Sequence, residues 1–205
     1  SLWRQWAPWL LLALLAASLV PVLLVGRYSW PSADDYSYAY LTHEALLKGS
    51  GFWGEVWHTM WGYYKSWQGT FSALGLMSLT PVTFSEGLYW LTPVVMVGSV
   101  CLGTFKLTDT IVRRWLGGSW RETICVAAPL LLLTIHFVPA PKDAFYWWNG
   151  AVYYTFTYGV MLLLIERMAA LTLACTRPQL LWAVLPALPL AFLVGGSNYV
   201  SALLA

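Results

Sequence analysis

Apolar and polar positions divide the chain into long apolar runs separated by short polar breaks. Residues 6–26, 87–105, 123–141, 144–165 and 178–205 contain no Asp, Glu, Lys or Arg, and each holds about the twenty residues that cross a bilayer core. The pattern predicts five helical spans, at about residues 6–26, 87–106, 122–140, 150–170 and 179–200. Residues 27–86 have a shorter period. Ser32-Ala33-Asp34-Asp35 leads into Tyr36, Tyr40, His43 and Leu47 at helical spacing, and Gly49-Ser50-Gly51 then breaks the chain. Trp53, Val56, Trp57, Met60, Tyr64 and Trp67 follow at i, i+3, i+4, i+7, i+11 and i+14, with Glu55, His58, Thr59 and Ser66 off that stripe. The expected fold is all-α: a polytopic transmembrane helical bundle whose first outer loop, 27–86, carries amphipathic juxtamembrane helices.

Composition agrees with this reading. The 205 residues are 59% hydrophobic and 10% charged, with a mean hydropathy of +0.62, far too little polar surface for a soluble domain. No small-x-small site closes the first run, so it is expected to remain as an anchor. A start at Ser1 and a stop at Ala205 inside an apolar run suggest the N-terminal part of a longer membrane domain. Cys101, Cys125 and Cys175 lie in or beside spans without CxxC or CxxH spacing, against a disulfide framework or zinc site. A net charge of +2 without a basic stripe gives no sign of nucleic acid.

Charge orients the spans. With a cytoplasmic N-terminus, Arg4, Lys106, Arg113, Arg114, Arg121, Arg167 and Arg177 lie inside against Arg27, Lys48, Lys65 and Lys142 outside, seven to four, as the positive-inside bias requires. A rival topology makes 66–85 a sixth span and places nine basic residues inside and two outside. We reject it, because the stretch is rich in Ser, Thr, Gly, Gln and Pro, and backbone that irregular does not face lipid. A short helix at or dipping into the outer surface is expected there.

Asp34 and Asp35 have two readings. As helix caps they satisfy free amides and complement the helix dipole. As functional groups, one is a catalytic carboxylate held beside the membrane while its neighbour orients the acceptor or a divalent cation. In Phe145-Tyr146-Trp147-Trp148-Asn149 the aromatics fit an interfacial belt. Asn149 fits better as a sugar contact, with a carboxamide for hydroxyls and rings for the apolar sugar face. Gly195 and Gly196 suit close helix packing, and Ser197 and Asn198 are candidates for the same pocket. His43, His58 and His136 have no ligand spacing and are expected to serve as ordinary hydrogen-bonding groups.

A first span, an outer loop opening with Asp34-Asp35, surface helices and aromatic outer segments resemble the GT-C glycosyltransferases. Ala33-Asp34-Asp35-Tyr36, Tyr63 to Gly69 and Phe145 to Tyr154 resemble more closely a bacterial branch of that superfamily, over most of residues 6–200. The resemblance implies an integral-membrane enzyme with its site on the outer face of the bacterial inner membrane. It implies a catalytic base at Asp34 or Asp35, and a substrate site drawn from Lys65, Trp67, Gln68, Asp143, Trp147, Trp148, Asn149, Tyr153, Tyr154, Ser197 and Asn198. Its partners are the bilayer, a polyprenyl-phosphate sugar donor and an extracytoplasmic glycan, lipid or protein acceptor. One departure stands out: Gly69-Thr70 occupies the place of an expected Gly-Arg, so the phosphate-binding arginine is absent and Lys65, Arg27 or residues beyond Ala205 take its place.

The expected activity is inverting transfer of a sugar to an acceptor hydroxyl. The alternatives are a transporter or flippase, with buried Asp and Asn at mid-membrane, and a noncatalytic subunit of envelope assembly whose aromatic belt positions a partner.

Overall fold

A computed structural model describes residues 2–32 and 34–205, with side chains from Gln5 onward. Ala33 of the acidic motif and the Arg4 side chain counted at the basic end lie outside the described residues. Ten α-helices form, with no strand among the described residues: α1 (Leu2–Val25), α2 (Asp35–Lys48), α3 (Phe52–Ser66), α4 (Phe71–Met77), α5 (Leu91–Asp109), α6 (Trp120–His136), α7 (Trp148–Ala151), α8 (Thr157–Leu171), α9 (Arg177–Gly195) and α10 (Tyr199–Leu204). α5 continues as a π-helical turn over Thr110–Trp115, and a π turn over Val152–Phe156 joins α7 to α8 in one rod.

Four of these rods, Gln5–Tyr28, Glu86–Trp115, Trp148–Leu171 and Arg177–Gly195, are long and apolar enough to cross a membrane. α6, the third expected span, has 17 residues, about 25 Å of helix against a core of about 30 Å. Arg121 and Glu122 occupy its first turn. α6 nevertheless packs in the row, between α1 and α5, and α5 continues it to α8 and then α9. Chain direction alternates from one long rod to the next, so two ends are distinguished. One carries Lys106, Arg113, Arg114, Arg121, Arg167 and Arg177. The other, the acidic end, carries the segment 26–90, the 137–147 loop and residues 196–198.

Leu10, Leu14, Leu181, Leu185, Leu188 and Phe192 point outward on the flanking helices α1 and α9, an arrangement suited to hydrocarbon as solvent. Buried apolar side chains centre on α5: Met96, Val97 and Val100 meet Leu15, Ala128, Leu131, Phe145, Trp148 and Val152. α5 and α8 touch through glycine, since a Cβ on Gly103 would lie 2.5 Å from the Gly159 carbonyl oxygen.

Residues 66–85 form the seven-residue α4 and a 3-10 turn over Pro81–Thr83, with no continuous rod. α4 is enclosed by protein: Ser72, Ala73, Leu74 and Met77 are buried, and the Ser72 N–H donates to the Gly196 carbonyl at 2.9 Å. That joins the surface layer α2–α4 to the end of α9. In place of a fifth continuous run over 178–205, α9 ends at Gly195, and Asn198 starts α10 by accepting from the Ser201 N–H at 2.8 Å.

Candidate functional site

The acidic pair sits where the chain leaves α1 and enters α2. Asp34 occupies the N-cap position, yet its side chain makes no capping hydrogen bond. It is partly exposed, and its Oδ1 is enclosed without a partner. Asp35 points the other way and is fully buried. Its Oδ2 accepts from the Tyr89 hydroxyl at 2.5 Å and from the Ser32 N–H at 3.0 Å. The two neighbours therefore face different surroundings, as adjacent positions on a helix must. Capping, the simpler of the two sequence readings, describes neither: Asp34 does not cap, and Asp35 reaches back to a single upstream amide.

Tyr89 ties this pair to the second outer segment. Its oxygen accepts from the Trp148 N–H at 3.0 Å, and the Trp148 indole N–H donates to the Leu76 carbonyl at 3.1 Å. Burial pushes the Asp35 carboxyl above the usual aspartate range. The Tyr89 hydroxyl, the Ser32 N–H and the nearby Asn149 N–H pull it back, and the charge of Asp34 raises it further. Asp35 is thus linked to Trp148 through a tyrosine that the sequence analysis did not single out. Tyr89 lies 54 residues from Asp35 in an apolar run, where it reads as one more interfacial ring.

Several polar atoms here lack partners. Asn149 is 2% exposed, and neither its Oδ1 nor its Nδ2 is hydrogen-bonded; the Trp147 indole N–H and Asp35 Oδ1 are equally free. Unpaired buried polar groups carry a cost that native structures normally avoid. Gly150 permits the tight turn: a Cβ there would lie 2.5 Å from the Trp147 ring.

The other expected site residues divide into two groups. Tyr153 packs with Tyr38, Tyr63 and Leu74 at the junction of α2, α3 and α4, and Tyr154, beside it, is exposed. Ser197 and Asn198 are buried but occupied: Ser197 Oγ donates to the Leu193 carbonyl and Asn198 Nδ2 to the Tyr153 carbonyl. Lys65 lies 4.8 Å over the Trp61 ring. Trp67 is exposed, Gln68 half-buried and Asp143 exposed on its π turn. The three histidines contact Thr83 O, Glu55 and Ser18 respectively, as ordinary polar groups.

A divalent ion takes six or more oxygens, and among the described residues no three His, Cys, Asp or Glu side chains gather around one point. No known family profile matches the chain, and neither a curated protein nor a solved structure is significantly similar to it.

Proposed function

We propose that the chain is part of an integral-membrane glycosyltransferase of GT-C type, with its site on the outer face of a bacterial inner membrane. It transfers a sugar from a polyprenyl-phosphate donor to an acceptor hydroxyl on a glycan, lipid or protein. One observation carries the reading: a partly exposed carboxylate, Asp34, stands next to a buried one that is linked through the Tyr89 hydroxyl to the Trp147-Trp148-Asn149 turn, where amide and indole groups remain unpaired.

The roles follow from exposure. Asp34 is the member of the pair that a substrate can reach, so it is the base: it takes the acceptor proton as the hydroxyl oxygen bonds to the anomeric carbon. The bond from that carbon to the donor phosphate oxygen breaks, and the lipid phosphate leaves with the electron pair. Phosphate needs little acid assistance, so one base suffices. Asp35, enclosed and bonded to Tyr89, is a positioning residue that fixes the α2 start against the Trp148 turn. Charged side chains of the four long rods lie in their end thirds, a distribution that favours an interfacial enzyme over a carrier with a mid-membrane site.

The test is single-turnover transfer from a lipid-phosphate sugar by the full-length protein in nanodiscs. Asp34→Asn is expected to slow transfer by roughly 10²- to 10⁴-fold, the usual loss of a general base, with donor binding retained. Wild-type turnover in that variant would remove the assignment.

A further inference from the structure

A second constellation lies apart from the acidic pair. Where α1 ends in the 3-10 turn Gly26–Tyr28 and α5 begins, a cleft of about 410 Å³ is lined by Arg27, Ser29, Trp30, Glu86, Gly87 and Trp90. Its floor is the tight approach of the two rods: a Cβ on Gly26 would run into the Pro93 ring and come within 3.3 Å of the Trp90 carbonyl oxygen. The cleft therefore sits at the rim of two membrane-crossing helices, at headgroup level.

Its chemistry is paired. Arg27 brings a guanidinium with no ion pair among the described residues. Glu86 brings a carboxylate whose Oε1 accepts from the Tyr36 hydroxyl at 2.9 Å, a neutral partner that fixes the acid without cancelling its charge. Trp30 is largely and Trp90 partly exposed, and both offer indole faces, which attract cations. A simple anion would gain from Arg27 and be repelled by Glu86, and a simple cation would meet the reverse. A ligand with phosphate and ammonium joined by a short link satisfies both charges at once.

We propose that this cleft binds the headgroup of a zwitterionic phospholipid, with the phosphate on Arg27 and the ammonium on Glu86 between the two indoles. The site needs no turnover to be tested, and it assigns Arg27 to a lipid headgroup instead of to the sugar donor. The arrangement would hold one annular lipid at the junction of α1 and α5, beside the α2 helix that carries the acidic pair.

The experiment measures lipid retention by native mass spectrometry of the full-length protein, exchanged from nanodiscs containing equal parts phosphatidylethanolamine and phosphatidylglycerol. Wild type is expected to retain the ethanolamine lipid over the glycerol lipid by roughly tenfold, the scale of one charge-assisted hydrogen bond. Glu86→Gln should reduce that ratio to about one, and Arg27→Gln should lower retention of both lipids. Both side chains are exposed, and unchanged melting temperatures would show that folding is intact. Displacement of the bound lipid by soluble glycerophosphoethanolamine would assign the same site to a water-soluble zwitterion, and resistance to displacement supports the membrane lipid. Equal retention of the two lipids by wild type, or an ethanolamine preference that survives Glu86→Gln, would overturn the proposal.

Discussion

Asp35 is a carboxylate with no exposed surface, and its hydrogen bonds from Tyr89 and Ser32 only partly offset the loss of water. Because burial raises its folded pKa, the folded chain holds this proton more tightly than the unfolded one. The contribution to stability is therefore full below about pH 4, the ordinary aspartate value, and declines as pH rises through the raised folded value. Asp35→Asn keeps the shape, keeps an oxygen for Tyr89 and Ser32, and cannot ionise. Its melting temperature in detergent is expected to match wild type near pH 4 and to exceed it at pH 8. A gap that does not grow with pH would refute the burial argument. The same residue shows how far the sequence could be read: Asp34-Asp35 stands out in a weakly charged chain, but nothing in its neighbourhood tells which acid is enclosed. That depends on Tyr89, which no local spacing connects to it.

At the level of elements, periodicity located helical faces more reliably than it located what covers them. Of the α3 stripe, Trp53, Trp57, Tyr64 and Trp67 point outward with Trp61, whereas Met60 packs inward against Tyr38, Ala73, Leu74 and Met77. Trp57, Trp61 and Tyr64 stack in sequence at 6.1 and 5.3 Å, a row suited to the membrane interface. Thr59 is buried and Ser66 exposed, and both line an open cleft of about 270 Å³ with Ser37 and Leu41 of α2. The span expected at about 150–170 closes within a residue of the observed helix end, beyond the uncharged run that stops at Ile165. α8 runs past Ile165 to Leu171, and Glu166, 2% exposed, is enclosed by Arg167 and by the Thr110 hydroxyl at 2.7 Å. Glycine was legible only in part. Gly196 meets the Phe71 ring, but Gly195 meets nothing, whereas the close contact of α5 with α8 uses Gly103 and Gly159. A Cβ on Gly159 would stand 2.6 Å from the Ser99 carbonyl carbon, and backbone cannot rotate away. Gly159→Val is therefore expected to cost at least the upper end of the roughly 1–3 kcal/mol of overpacking, measured by thermal unfolding in detergent. Gly98→Val, on α5 with no atom near its Cβ, should leave stability nearly unchanged. Equal behaviour of the two variants would mean that the α5–α8 contact does not hold the bundle.

Across the whole molecule, the separation of charges between the two ends ties fold to topology. Lys48 closes α2 and Lys142 opens the π turn after α6, both at the acidic end, while Arg113 lies at the far end of α5. Exposed Trp9, Trp115, Trp120 and Trp182 ring the basic end, and Trp30, Trp90 and the α3 row ring the other, as tryptophans do at the two faces of a bilayer. A topology in which α6 crosses and 66–85 does not would put Lys48 and Lys142 on one side of the membrane; a further span at 66–85 would place Lys48 with Arg113 instead. The basic excess would then put the Arg113 end in the cytoplasm. The chain carries its own reporter for this arrangement: Cys175 is exposed in the turn between α8 and α9, at the basic end, whereas Cys101 and Cys125 are half-buried. In sealed cells, a membrane-impermeant thiol reagent is expected to leave Cys175 unmodified until the membrane is permeabilised. In a background lacking the native cysteines, single cysteines at Lys48 and Lys142 should label without permeabilisation, and one at Arg113 should not. Labelling of Lys142 with protection of Lys48 would mean that an odd number of segments between them cross the membrane, as when 66–85 joins α5 and α6. The acidic pair, preceding Lys48 without an intervening span, would then lie on the cytoplasmic side, where an extracytoplasmic acceptor cannot reach it.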